Sequence, residues 1–260
     1  MNAESGLSYL PTCNLLMKRA VLQEIGGFDP SFHPVGEDVD LVWRVQDAGY
    51  RVLCDPRGRV NHHHRESVAP FVVRRCEYAA SEAQLLKKHP NRRRAMMVPA
   101  PHLVALSLVA MGAFAGWVAA LLMALAVVAA QSASMWRRLG DAGSLVGVRA
   151  VALSLARSYL GLGQYVLWTL AQYYLLPLAI IVSPLIVLGG LPLPVLLGAG
   201  VLTLVATALL SFLGNRPGLG LLDFVPVYCL DKLSFQVGVI RGCLTQRTLR
   251  PLLPTMVFTW

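Results

Sequence analysis

Three carboxylates stand within four residues at Glu37, Asp38 and Asp40. Gly36 precedes them, and Val39, Val42, Trp43 and Val45 follow on a loose apolar stripe. The pattern predicts a helix from Glu37 or Asp38 to Ala48, with Gly49 just past its end. So many acids at a helix start are costly unless backbone N–H groups, a cation or a metal partner them. An aspartate held there is placed to take a proton from an incoming hydroxyl. The plainer reading is a helix cap in which Asp40 pairs with Arg44 one turn on. A second group is His62, His63 and His64. On a strand His62 and His64 share a face. They are then either ligands for a metal, for which imidazole is well suited, or the solvated end of a strand. No Cys or second His pair stands at the spacing of a structural zinc site. The third group, the basic run Lys87 to Arg94, reads as a charged flank at a membrane surface. No dinucleotide fingerprint, P-loop or nucleophile elbow is present.

The elements that must hold these residues follow from spacing and punctuation. Leu15 to Ile25 has helical apolar spacing and stops at Gly26 and Gly27. Phe28, Asp29 and Pro30 make a turn. Tyr50 to Cys54 and Arg59 to His62 read as two short strands around a turn at Asp55 to Gly58. Phe71 to His89 reads as a helix that leads through Pro90 towards an apolar region.

That region dominates the rest of the chain. Of 260 residues, 55% are hydrophobic and only 14% are charged, where soluble domains carry about 25% charged residues. Residues 1–97 hold 14 Lys and Arg against 11 Asp and Glu, whereas residues 98–260 hold 9 against 3. The first third is therefore soluble in character and the remainder membrane-bound, which excludes a purely soluble enzyme. Five cysteines without CxxC spacing exclude a disulfide scaffold. The first 25 residues include Pro11, Lys18, Arg19 and Glu24 and do not read as a signal peptide. The net charge of +9 fits positive cytoplasmic loops better than nucleic-acid binding.

No residue from Val98 to Gln131 is formally charged. At about 50 Å as one helix, the run is either one tilted span or two legs folded at Gly112 to Gly116. A second uncharged run, Ser158 to Asn215, breaks at Gly189 to Pro194 into legs at 165–188 and 193–213. The basic residues fall in three clusters: Lys87 to Arg94; Arg137, Arg138, Arg149 and Arg157; and Arg216 to Arg250. Folding the first run places all three on one side, which the positive-inside rule makes cytoplasmic. Residues 137–157 and 219–247 mix apolar and charged residues. They read as helices lying in the membrane interface, or as ordinary cytoplasmic loops.

Taken in order, Asn14 to Ala20, Ile25 to Asp29, Gly36 to Arg44, Ala48 to Val52 and Val60 to His62 resemble the second half of a family 2 glycosyltransferase catalytic domain of GT-A type. Arg75 to Pro90 and Gly242 to Pro254 resemble the glycosyltransferases of the mycofactocin system. The fold this implies is half of an α/β GT-A domain over residues 1–95, followed by an all-α membrane domain over residues 96–260. The resemblance makes Asp38 the general base of an inverting transfer, with Glu37 beside it. It leaves Asp40 and Arg44 to brace the motif helix, and Trp43 either to line the acceptor groove or to pack. It places His62 at a divalent metal, Mn²⁺ or Mg²⁺, with His64 as a weaker candidate.

The implied donor is a nucleotide sugar, UDP-glucose. The implied acceptor is a peptide-derived mycofactocin precursor or its growing glucan. The implied setting is the inner cell membrane, crossed several times, with the catalytic part in the cytoplasm. Two alternatives stand beside this. One is transfer to a polyprenyl phosphate or a cell-envelope glycan. The other is a non-catalytic membrane subunit of a split enzyme. The family's nucleotide-binding half, with its Asp-x-Asp, should precede Asn14 by well over a hundred residues. The spelling at Asp38-Val39-Asp40 falls in the acceptor motif instead. The expectation is a C-terminal portion that needs a separate nucleotide-binding half and is inactive alone. No nucleic-acid partner is expected.

Overall fold

The computed structural model describes residues 10–32, 35–55, 57–58, 60–61, 67–92, 94–139, 147–189 and 193–259. His62 and His64 lie outside these. The chain divides into two compact units. The first comprises residues 1–93 and 171–253, and the second residues 94–170 and 254–260.

In the first unit, α1 (Arg19–Glu24) and α2 (Glu37–Asp47) precede the long α3 (Val68–Lys88). Helix α2 starts where Gly36 supplies a left-handed residue, with φ of 96°. A Cβ there would sit 3.2 Å from both Phe32 Cδ1 and Ser81 Cβ, so the turn needs glycine twice over. Helix α1 is shorter than the spacing predicts. Leu15 to Lys18 stay outside it, and Leu16 is almost wholly exposed. Tyr50 to Cys54 belongs to no sheet, and neither do Val60 and Asn61. A strand exists only where a neighbour takes its backbone groups, and the described residues offer none there. Among the described residues of 1–95 the expected α/β character is therefore not seen, and helix prevails.

Among the described residues the one sheet lies in the second unit. It pairs β1 (Ala95–Pro99) in parallel with β2 (Thr255–Thr259), Ala95 opposite Thr255. Helix α4 (Ala100–Ala115) follows and ends at Gly116, and α5 (Val118–Leu139) packs back on it. The uncharged run is thus the folded pair, not one long span. Helix α6 (Val148–Thr169) runs through a π-helical turn at Leu170–Tyr174 into α7 (Leu175–Gly189). Residues 148–157 therefore begin a long apolar helix. Residues 140–146 are outside the described set.

Three described helical stretches are long and apolar enough to cross a membrane: Val118–Leu139, Val148–Pro184 and Leu193–Asn215, the last being α8. Only 11%, 28% and 17% of their apolar windows are buried. Apolar faces turned outwards to this extent suit hydrocarbon as the surrounding solvent.

Within residues 219–247 the chain forms helix α9 (Leu221–Gln246). It packs along α3 in the first unit. Gly238 and Gly242 allow the approach, since a Cβ at Gly238 would stand 2.3 Å from Cys76 O and one at Gly242 would stand 2.5 Å from Ala80 O. Ala79 and Ala83, both fully buried, face this seam. Arg75 pairs with Asp231 across it. Lys232 turns inwards and donates to Gln172 Oε1 at 2.6 Å. Gln236, wholly buried, accepts from Leu176 N–H at 2.6 Å and donates to Ala171 O at 2.7 Å. It takes up backbone groups around the π turn that would otherwise be orphaned.

The seam yields a prediction. Gly238→Ala collides with backbone rather than with a movable side chain, so it should cost about 1–3 kcal/mol. The readout is a lowered midpoint of thermal unfolding in detergent. An unchanged midpoint would show that α3 and α9 are not held this closely.

Candidate active site

Helix α2 carries the acidic motif, and its two aspartates have opposite environments. Asp40 is completely buried. Its Oδ2 accepts from Arg44 Nε at 2.8 Å, and its Oδ1 accepts from Lys88 Nζ at 2.7 Å and from His89 Nε2 at 2.8 Å. A carboxylate only accepts, so His89 Nε2 carries a proton. Burial opposes ionisation of Asp40. The hydrogen bonds from Lys88, His89 and Arg44 outweigh it and hold the carboxyl below the usual aspartate range.

The partners of Asp40 tie distant segments together. Arg44 also donates to Ile25 O and Gly27 O, both at 2.6 Å, which fastens the turn after α1 onto α2. Lys88 also reaches Asp29 Oδ2 at 2.7 Å. That contact, helped by Ser31 N–H, holds Asp29 well below the ordinary carboxylate range. Arg92 donates to Gln46 Oε1 at 2.8 Å and pairs with Asp47. Trp43 meets the His89 ring edge-on at 5.2 Å, and the Arg92 guanidinium lies 5.9 Å from its ring centre. Trp43 is thus packed between two side chains of the α3 end.

Four residues of the run Lys87 to Arg94, expected as a membrane-surface flank, also have partners within the first unit. Lys88, His89 and Arg92 clamp α3 to α2, and Lys87 donates to Gln246 O at 3.1 Å. His89 was not singled out from the sequence. The signal was present in one form: crowded acids at 37–40 demanded cations, and the unassigned basic run could supply them.

Asp38 is different. Its side chain is half-buried and accepts from Val39 N–H at 2.8 Å. Among the described residues no cation pairs with it. Burial, with the adjacent Glu37 charge, raises its pKa above the ordinary aspartate value, against the pull of that N–H. Glu37 Oε2 is buried without a hydrogen-bond donor among the described residues. Such an oxygen costs free energy until a donor reaches it. The motif thus has one saturated carboxylate that holds the fold and two neighbours with capacity left for a ligand.

A divalent metal does not fit what is described. Asp40 has both oxygens engaged, and among the described residues no three His, Cys, Asp or Glu converge on a point. No step is therefore routed through a metal at Asp38-Val39-Asp40.

The family described as Glycosyl transferase family 21 matches residues 2–173. The chain belongs to that family, a family 2-like group of glycosyltransferases. It is 33% identical over 120 residues to the pre-mycofactocin glycosyltransferases of two Mycobacterium tuberculosis strains, CDC 1551 / Oshkosh and ATCC 25618 / H37Rv. The match covers 46% of this chain and 25% of the relative. The O-antigen biosynthesis protein RfbC of Myxococcus xanthus is 34% identical over 77 residues, 30% of this chain and 6% of that protein. The succinoglycan biosynthesis protein ExoA of Rhizobium meliloti (strain 1021) is 28% identical over 152 residues, 55% of this chain and 44% of that protein. The chain thus spans about a quarter of the mycobacterial relatives it matches. No solved structure matches.

Proposed function

We propose that this chain forms the acceptor side and the membrane anchor of an inverting glycosyltransferase, with Asp38 as the base. The observation that carries this reading is the division of labour within the motif. Asp40 is buried and saturated, whereas Asp38 is half-open, has no cation paired with it among the described residues and is raised in pKa. A raised pKa makes a better proton acceptor, as a general base requires. The acceptor O–H proton passes to Asp38, the freed oxygen attacks the anomeric carbon, and the nucleoside diphosphate leaves.

The sugar is a hexose, glucose from UDP-glucose. The acceptor is a peptide-derived mycofactocin precursor or the glucan growing on it. The similarity to the pre-mycofactocin glycosyltransferases supports this choice. The names of RfbC and ExoA favour a second reading, in which the acceptor is a polyprenyl phosphate or an envelope glycan. A non-catalytic subunit of a split enzyme remains the third. In each, residues 1–95 carry the GT-A acceptor half and residues 96–260 the anchor. The three basic clusters face the cytoplasm by the positive-inside rule. A divalent metal, Mn²⁺ or Mg²⁺, belongs with the donor-binding residues, and His62 is the residue of this chain that the family resemblance places nearest it.

The test supplies the missing chemistry. Membranes carrying a fusion of the family's nucleotide-binding half to this chain are given radiolabelled UDP-glucose and a mycofactocin precursor peptide. Label should pass to the peptide. Label passing only into lipid-linked or envelope glycan would select the second reading. No transfer in the fusion, with donor bound, would leave the subunit reading.

A further inference from the structure

The second unit holds a cleft of about 400 Å³ between α5 and α6, lined by Val128, Ser132, Ala152, Leu155, Ala156 and Tyr159. That volume lies in the range of small-molecule sites. The wall is almost wholly apolar, and the protons of its two hydroxyls are already spent. Ser132 donates to Val128 O at 2.9 Å. Tyr159 donates to Gln131 Oε1 at 2.8 Å. Behind it, Ser158 donates to Leu155 O at 2.7 Å, so its Oγ accepts from His102 Nε2–H, also at 2.7 Å. His102 Nδ1 then accepts from the Gln131 amide at 3.3 Å. This chain of hydrogen bonds is complete within α4, α5 and α6 and asks for no ligand. A polar occupant would lose its water in the cleft and find few partners there.

What surrounds the cleft is apolar too. Helices α5 and α6 belong to stretches long enough to cross a membrane, and only 11% and 28% of their apolar windows are buried. Leu122 and Leu125 on α5, and Leu153 and Leu160 on α6, are each more than half exposed. Ala152 and Ala156, on the wall itself, are exposed as well. The cleft therefore opens on a surface suited to hydrocarbon. Left empty, its wall would forfeit dispersion contacts, and apolar cavities hold water poorly. The lining follows α6 for about 10 Å from Ala152 to Tyr159, which makes the cross-section about 40 Å². A helix with its side chains is about 10–12 Å across and needs roughly twice that section or more, so a helix from a second copy does not fit. A single hydrocarbon chain does.

We propose that this cleft holds one acyl chain of a bilayer phospholipid, bound through its hydrocarbon and not through its headgroup. The site rests on the membrane-anchor part of the function proposed above and is independent of the transfer chemistry.

The full chain is reconstituted in vesicles of equimolar phosphatidylglycerol and phosphatidylcholine and washed with alkaline carbonate. It is then extracted in mild neutral detergent and read by native mass spectrometry. Phospholipid should stay bound to the chain, with the two headgroups retained in equal measure. Ala152→Phe and Ala156→Phe, each of which puts a ring into the cleft, should each lose that lipid. Leu160→Phe, on an exposed position of α6 outside the lining, should keep it. Glycerophosphocholine, a headgroup without chains, should displace nothing. A marked preference for one headgroup would overturn the proposal. So would unchanged retention by helical Ala152→Phe and Ala156→Phe variants, an equal loss in Leu160→Phe, a bound polyprenyl lipid in place of phospholipid, or a lipid-free dimer. A chain stripped from the vesicles by carbonate would overturn the anchor reading with it, whereas a chain that stays but retains no lipid overturns this proposal alone.

Discussion

Asp38→Asn lowers sugar transfer by about 10²–10⁴-fold while leaving the fold intact, because the variant keeps the shape of the side chain and removes the proton acceptor. The structure gives this expectation its second half. Asp38 is raised in pKa, mainly by burial, so its ionised form is disfavoured in the folded chain. A group with a raised folded pKa favours folding below its unfolded pKa and loses that contribution as pH rises through the folded value. At neutral pH the Asp38 carboxylate is therefore a small burden on stability. The asparagine variant should unfold at the same temperature as the wild type or slightly above it. A variant that loses activity only by unfolding would show both effects moving together, and that would remove Asp38 from the mechanism. Transfer and unfolding measured on one preparation of the fusion separate the cases.

Asp40→Asn does the opposite. The carboxylate at Asp40 compensates Lys88 and Arg44 in a fully buried position. Removing one partner of a buried charge cluster costs about 3–5 kcal/mol, because the cations are left without their counter-ion. In a chain of this size that is a fall of on the order of 10 °C in the unfolding midpoint. The pH dependence has a definite sign. Asp40 has a depressed folded pKa, so its contribution is present above the ordinary aspartate value of 3.8 and is lost as pH falls below it. Wild-type chain should lose stability steeply in that acidic window, and Asp40→Asn should show a shallower loss. Equal midpoints at neutral pH would mean that the cluster contributes nothing to the fold.

The two aspartates show how far the sequence could be read. Gly36 and the acids after it gave the start of α2 closely, and Gly49 gave its end, because capping and helix polarity are local rules. The fold at Gly116 and the long helix ending at Lys88 were legible for the same reason. What decides between Asp38 and Asp40 is not local. Lys88 and His89 stand 48 and 49 residues from Asp40 in the chain, and only the fold brings them to one carboxylate. Their basic run also fits a membrane flank, so composition alone did not point to this carboxylate.

The strand expected at Tyr50 to Cys54 did not form for a related reason, and of the one expected at Arg59 to His62 only Val60 and Asn61 are described, in no sheet. Alternating β-formers mark where a strand can exist, but a strand also needs an adjacent edge. The residues that pair are Ala95–Pro99 and Thr255–Thr259, some 160 residues apart. Helix α9 misled in another way. Gly238 and Gly242, with Asp231 and Lys232, look like a mixture of membrane and surface character. Their spacing is that of a close helix crossing, in which the small residues admit α3 and the charged ones find Arg75 and Gln172.

The pH dependence of kcat/KM for sugar transfer by the fusion tests the central claim most directly. If Asp38 is the base, activity falls on the acid side with an apparent pKa above the ordinary aspartate value, and Asp38→Asn removes that limb together with nearly all of the rate. An acid limb that survives unchanged in Asp38→Asn, at wild-type turnover, would contradict the assignment.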